Sequence, residues 1–117
     1  MPISSIQQVR TPALVVIESI VKKNCQKMLD RAHSLGCNLR PHFKTAKTLE
    51  ALLLQTGGSK NRAVCSTLAE AEFLAGQGVD DILYSLPITP DKLPQAASLS
   101  ARLELFQVLV DSQTGGY

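Results

Sequence analysis

The stretch "NLRPHFKTAKTLE", residues 38–50, sets Arg40, His42, Lys44 and Lys47 within eight positions of a largely apolar neighbourhood. Its alternation reads as a strand from Cys37 to Phe43. Successive strand side chains point to opposite faces, so Arg40, His42 and Lys44 share one face and Leu39 and Phe43 the other. Buried side by side without partners, three basic groups would lose hydration and repel one another, at several kcal/mol apiece. A sheet covered by helices on both faces therefore suits this strand poorly. A parallel barrel suits it better, because one face turns inward and Lys44 then sits at the strand's C-terminal end, where the active-site groups of such folds collect. A lysine among other cations gives up its proton more readily, and the neutral amine attacks carbonyls to form a Schiff base. A solvated edge strand leading into a helix accounts for the same pattern without any chemistry.

Outward from this stretch the pattern alternates. "ALVVI" at 13–17 is a short β-branched run that reads as a buried strand, with Pro12 where no ladder donor is needed. From Ser19 the apolar positions Val21, Cys25, Met28, Leu29, Ala32 and Leu35 follow helical spacing, and Gly36 supplies a left-handed stop. Thr45 is the expected N-cap of a helix through "AKTLEALLLQ", ended by Gly57 and Gly58. "RAVCS" at 62–66 reads as a third strand. Thr67 and Glu70 form a T-x-x-E capping box that opens the next helix. "VDDILYS" gives a fourth strand closed by Pro87, Pro90 suits a helix's first turn, and "LELFQVLVDS" gives a fifth strand. Four β-α units and a final strand predict an α/β protein with parallel strands and helical crossovers. A five-stranded doubly wound sheet would be complete at this length, whereas a (β/α)8 TIM barrel needs about 250 residues, so the chain would be its first part. "QTGG" occurs at 55–58 and again at 113–116 with unrelated flanks, which is no internal repeat.

The composition bounds the function. The chain has 117 residues, 44% hydrophobic and 19% charged, with a net charge of +2. That is one domain at most, with no charge excess to call for a nucleic-acid or membrane partner. The longest apolar runs are too short to span a bilayer. Cys25, Cys37 and Cys65 are an odd count at wide spacing, with no C-x-x-C pair and no zinc-like histidine spacing, which predicts reduced thiols and a cytoplasmic location. His33 lies on the first helix and is expected at its surface.

"RPHFKTAK" at 40–47 resembles the RPH-x-KTHK motif of the D-serine dehydratase and D-threonine aldolase group, pyridoxal-phosphate enzymes of alanine-racemase-like fold. "TPALVVIESIVKKN" resembles the group's opening strand and helix, and "AVCSTLAEAEFLAGQGVDDILYSLPI" its third and fourth β-α segments. The similarity runs from Thr11 to about Asp111 and is strongest toward the D-serine dehydratase branch. The resemblance implies a partial pyridoxal-phosphate-binding barrel domain over 1–117, of about five strands and four helices, lacking the later half-barrel and β-domain. It implies that Lys44 holds pyridoxal 5'-phosphate covalently, with Arg40 and His42 lining the cofactor site. Thr67 and Tyr84, at the ends of the third and fourth strands, would face the same mouth, and Lys47 would be structural. The implied reaction is β-elimination of D-serine to pyruvate and ammonia, assisted in full-length relatives by zinc and carried out by homodimers. The zinc ligands of those relatives have no counterpart here, and Ala46 stands where the group has histidine. A D-threonine aldolase-like enzyme, a non-catalytic cofactor-binding or partner-binding chain, and a relative of the small pyridoxal-phosphate homeostasis proteins are the alternatives.

Overall fold

Three parallel strands, Ala63–Cys65 (β1), Asp81–Pro87 (β2) and Leu105–Leu109 (β3), lie in sequence order β1-β2-β3 in the computed structural model, which describes residues 3–113. Ala63 pairs with Ile82 and Cys65 with Tyr84, and Asp81 pairs with Leu105 and Tyr84 with Val108. Four helices complete the described residues: Glu18–Ser34 (α1), Leu49–Thr56 (α2), Leu68–Gly76 (α3) and Leu93–Arg102 (α4). The crossovers run through α3 and α4.

The core lies on one face of this sheet. Ala63 and Cys65 of β1 and Ile82 and Tyr84 of β2 are buried with Leu68, Ala71 and Leu74 of α3 and Ala96 and Leu99 of α4. The alternate positions, Val64, Leu83 and Ser85, are only partly buried, and Leu105 and Leu109 are exposed. Sequential parallel strands with helices on a single face match the barrel expectation. A doubly wound sheet would reverse its strand order and cover both faces.

The helix boundaries follow from local chemistry. Gly36 at φ 66° and Gly57 at φ 71° take the left-handed conformation that ends α1 and α2 cheaply. At Gly57 a Cβ would also meet Leu29 Cδ1 at 3.5 Å, so the α1–α2 packing is close there. Thr67 Oγ1 accepts from Glu70 N–H at 3.1 Å, and the Glu70 carboxylate reaches back to accept from Ser66 N–H at 2.7 Å. The first bond satisfies one of the donors a helix start leaves open, and the second ties down the N–H just before the cap.

Three expectations need correction. Residues 13–17 form no strand and are exposed, Leu14 at 91%. The span 37–43 contributes a single bridge, His42 to Val64, with Val64 N–H donating to Pro41 O at 2.8 Å. Among the described residues there are thus three strands rather than five. Both segments have the composition of strands, but a ladder also needs an aligned neighbour, which composition does not encode. Thirdly, α2 is capped by Thr48, whose Oγ1 accepts from Ala51 N–H, and not by Thr45. Thr45 is taken up in a 3-10 turn, Phe43–Thr45, and Lys47 at φ 52° redirects the chain before the true cap. The second QTGG copy lies mostly outside the described residues, from position 114 onward.

Candidate functional site

The turn that carries Lys44 grows directly from the bridge at His42. Phe43 drops into the helix layer, 4% exposed and stacked on Phe73 of α3 at a ring separation of 5.6 Å. This anchor leaves His42 on the open sheet face and sends Lys44 into the 3-10 turn. Lys44 N–H donates to His42 Nδ1 at 3.2 Å. His42 Nε2 lies 3.3 Å from Ser85 Oγ, and Ser85 Oγ–H donates to Cys65 O at 3.0 Å. Hydrogen bonds therefore link the Lys44 turn to the C-terminal ends of β1 and β2.

Lys44 is exposed, and among the described residues its amine has no hydrogen-bond or ion-pair partner. Lys47, Lys60 and Lys92 differ. Lys47 Nζ is 3.5 Å from Glu70 Oε1, Lys60 Nζ donates to Gln77 O at 3.0 Å, and Lys92 Nζ donates to Thr89 Oγ1 at 2.9 Å. An amine without a partner, at the C-terminal edge of a parallel sheet, fits attack on an aldehyde.

The structure separates Arg40 and Tyr84 from the Lys44 turn and gives Thr67 a capping role beside it. Arg40 forms a bidentate pair with Asp81, Nη1 to Oδ1 at 2.6 Å and Nη2 to Oδ2 at 2.9 Å. Arg62 Nε stands 4.0 Å from the same carboxylate. Asp81 opens β2 and Ser85 lies four residues on, so about 13 Å of strand separates the Arg40 pair from the His42 contact. Both pairs do lie on the face predicted for Arg40 and His42. The difference is that Asp81 engages both forks of the guanidinium at the far end of the sheet. Tyr84 is 2% exposed within the helix-packed core, on the face opposite Ser85. Its register places it away from His42, against the expectation that it faces the mouth. Thr67 is the α3 cap, with its hydroxyl turned to Glu70 N–H. His33 is exposed on α1, as expected.

Ser85 is the residue that sequence reasoning missed. Its signal was available: Tyr84 and Ser85 alternate, so burying the tyrosine against the helices turns the serine toward His42.

The neighbouring acid and thiol are structural. Burial opposes charge on Glu70, but the Ser66 backbone and hydroxyl bonds and the Lys47 ammonium outweigh it and hold the carboxyl below its ordinary range. Burial, reinforced by the Glu70 carboxylate, pushes the Cys65 thiol up to about 12, which makes it inert as a nucleophile. Cys25, Cys37 and Cys65 are all free thiols. Among the described residues no three His, Cys, Asp or Glu side chains gather into a metal-binding group. No helix among them is long and apolar enough to cross a membrane. An apolar cleft of about 250 Å³ lies between α1, α2 and residues 39–41, and Lys44, His42 and Ser85 do not line it.

The residues present fit the aldehyde end of pyridoxal phosphate through the Lys44 amine. They fit its phosphate less well. The α3 N-terminus, a natural anion site, already holds the Glu70 carboxylate.

No protein-family model matches the chain. It is 42% identical over 114 residues to a D-serine dehydratase of Schizosaccharomyces pombe, covering 92% of this chain and 27% of that protein. A solved alanine-racemase-like protein from Idiomarina loihiensis superposes with a TM-score of 0.87 at 41% identity, over 93% of this chain and 29% of the other. The D-threo-3-hydroxyaspartate dehydratase of Delftia sp. HT23 superposes with a TM-score of 0.86 at 34% identity, over 92% and 28%. The chain thus spans less than a third of the length of these relatives and matches the N-terminal part of their alanine-racemase-like barrels.

Proposed function

We propose that this chain, a homologue of the D-serine dehydratases and of their alanine-racemase-like neighbours over 27–29% of their length, is the lysine-bearing part of a pyridoxal-phosphate lyase site. The substrate class is a D-amino acid with a β-hydroxyl, D-serine foremost, and the overall conversion yields pyruvate and ammonia. The compartment is cytoplasmic, in keeping with free thiols.

One observation carries the reading: within the RPHFKTAK motif, Lys44 stands at the C-terminal edge of a parallel sheet with an amine that has no partner among the described residues. When bound, pyridoxal phosphate supplies an electron sink for the pair left behind as the substrate's Cα proton departs. Lys44 is the residue that would hold the cofactor, through its side-chain amine at the aldehyde carbon. His42 fixes the backbone from which Lys44 extends. Phe43, stacked on Phe73, keeps the turn from sinking or lifting relative to α3. Arg40, bound to Asp81, keeps the lower sheet together and takes no part at the amine.

The test is covalent. Incubation with pyridoxal phosphate, borohydride reduction and peptide mapping should place the adduct on Lys44 ahead of Lys22, Lys23, Lys27, Lys47, Lys60 and Lys92. An adduct spread evenly over these lysines would overturn the reading.

A further inference from the structure

The hydrogen bonds around His42 identify the tautomer that its neutral ring adopts. A backbone N–H only donates, so His42 Nδ1, which receives Lys44 N–H at 3.2 Å, carries no proton. Ser85 has one hydroxyl proton, and it is committed to Cys65 O at 3.0 Å. The 3.3 Å contact between Ser85 Oγ and His42 Nε2 is then a bond donated by Nε2–H. Two independent arguments, one from each ring nitrogen, give the same neutral Nε2–H tautomer.

We propose that His42 is a positioning residue that, as the Nε2–H tautomer, holds the Lys44 turn to the rim of the sheet. The route runs from Lys44 N–H to Nδ1, from Nε2–H to Ser85 Oγ, and from Ser85 Oγ–H to the Cys65 carbonyl. It touches three adjacent segments, so the ring references a turn that lacks a full ladder to both β1 and β2. The geometry also argues against His42 as a general base toward the substrate. Its free lone pair is occupied by a backbone amide, and its N–H by a serine. The inference rests on the proposed role of Lys44 for its purpose, but not for its geometry.

The experiment separates the two. Nitrogen-15 spectra of the cofactor-free chain, at a pH where the ring is neutral, should show an unprotonated Nδ1 and a protonated Nε2. Amide exchange should show Lys44 N–H protected. A protonated Nδ1, or a Lys44 amide that exchanges like an open turn, overturns the proposal whatever happens with cofactor. The variants then order the roles. In His42→Asn the side-chain oxygen falls near the place of Nδ1 and preserves the bond to Lys44 N–H. In His42→Gln the amide reaches toward Ser85 and leaves that N–H unmet. Reductive labelling of Lys44 should fall about tenfold in His42→Ala and His42→Gln and stay near wild type in His42→Asn, the scale of one hydrogen bond. The reverse order, with His42→Gln preserved and His42→Asn impaired, would assign His42 to the Ser85 tie alone and sink the positioning role. Supportive spectra with no preference for Lys44 in the wild type would count against the function proposed above and leave the hold on the turn standing.

Discussion

Arg40 and His42 sit two residues apart in the same motif and act at opposite ends of the sheet. The guanidinium of Arg40 meets Asp81 where β2 begins, while the imidazole of His42 meets Ser85 near its end. Both side chains of the Arg40–Asp81 pair are less than one-quarter exposed, at 24% and 17%, so the bidentate contact is only partly screened by water. Arg40→Ala should therefore cost about 2 kcal/mol in a denaturant melt. It should leave the rate at which Lys44 takes up pyridoxal phosphate near wild type once folding is allowed for. A collapse of labelling with unchanged stability would return Arg40 to the cofactor site. The sequence alone put both residues on one face, correctly, because alternation is local. It left Asp81 and Ser85 out, because which strand lies alongside, and in what register, is decided by contacts about forty residues away.

The helices were more legible than the strands for the same reason. Gly36, Gly57 and the Thr67–Glu70 box act on their own turns, and the structure uses all three. The start of α2 shows the limit of such signals. Thr45 and Thr48 offer the same hydroxyl, and the choice fell to Thr48 because Phe43 draws the first threonine's turn into the core. The α3 start also carries a pH signature. Glu70 has a folded pKa held below its unfolded value near 4.5, so its contribution is present above that value and is lost as pH falls through the folded one. Stability measured by denaturant should drop between neutral pH and pH values below about 4, and Glu70→Gln should flatten that drop. An identical pH profile in the variant would show that the Ser66 and Lys47 contacts contribute nothing. Thr67 and Glu70 thus account for a well-formed helix start beside the Lys44 turn, with Lys47 as a solvent-exposed link between them at 63% side-chain exposure. A pair that exposed adds little by itself.

The arrangement as a whole is uneven in stability. Its radius of gyration, 16.7 Å, exceeds the roughly 13 Å of a compact chain of this length, and its extents are 52 × 39 × 23 Å. The buried core joins β1, β2, α3 and α4, while the seventeen residues of α1 bury only Ala32. Hydrogen exchange should thus open α1 well before β2 and α3, since local stability follows buried apolar contact. Uniform protection across all four helices would contradict this division. The sheet order and its single helix layer are what separate a barrel segment from a doubly wound domain, and neither was readable from element order alone.

The central claim concerns one amine, and a titration addresses it most directly. Pyridoxal phosphate added to the chain should produce a saturable, red-shifted cofactor absorbance that borohydride bleaches. Lys44→Ala should abolish it, while Lys47→Ala should leave its saturation intact. If the Lys44→Ala protein, folded by circular dichroism, gives the same saturable signal as wild type, Lys44 is not the anchoring residue and the proposed site is wrong.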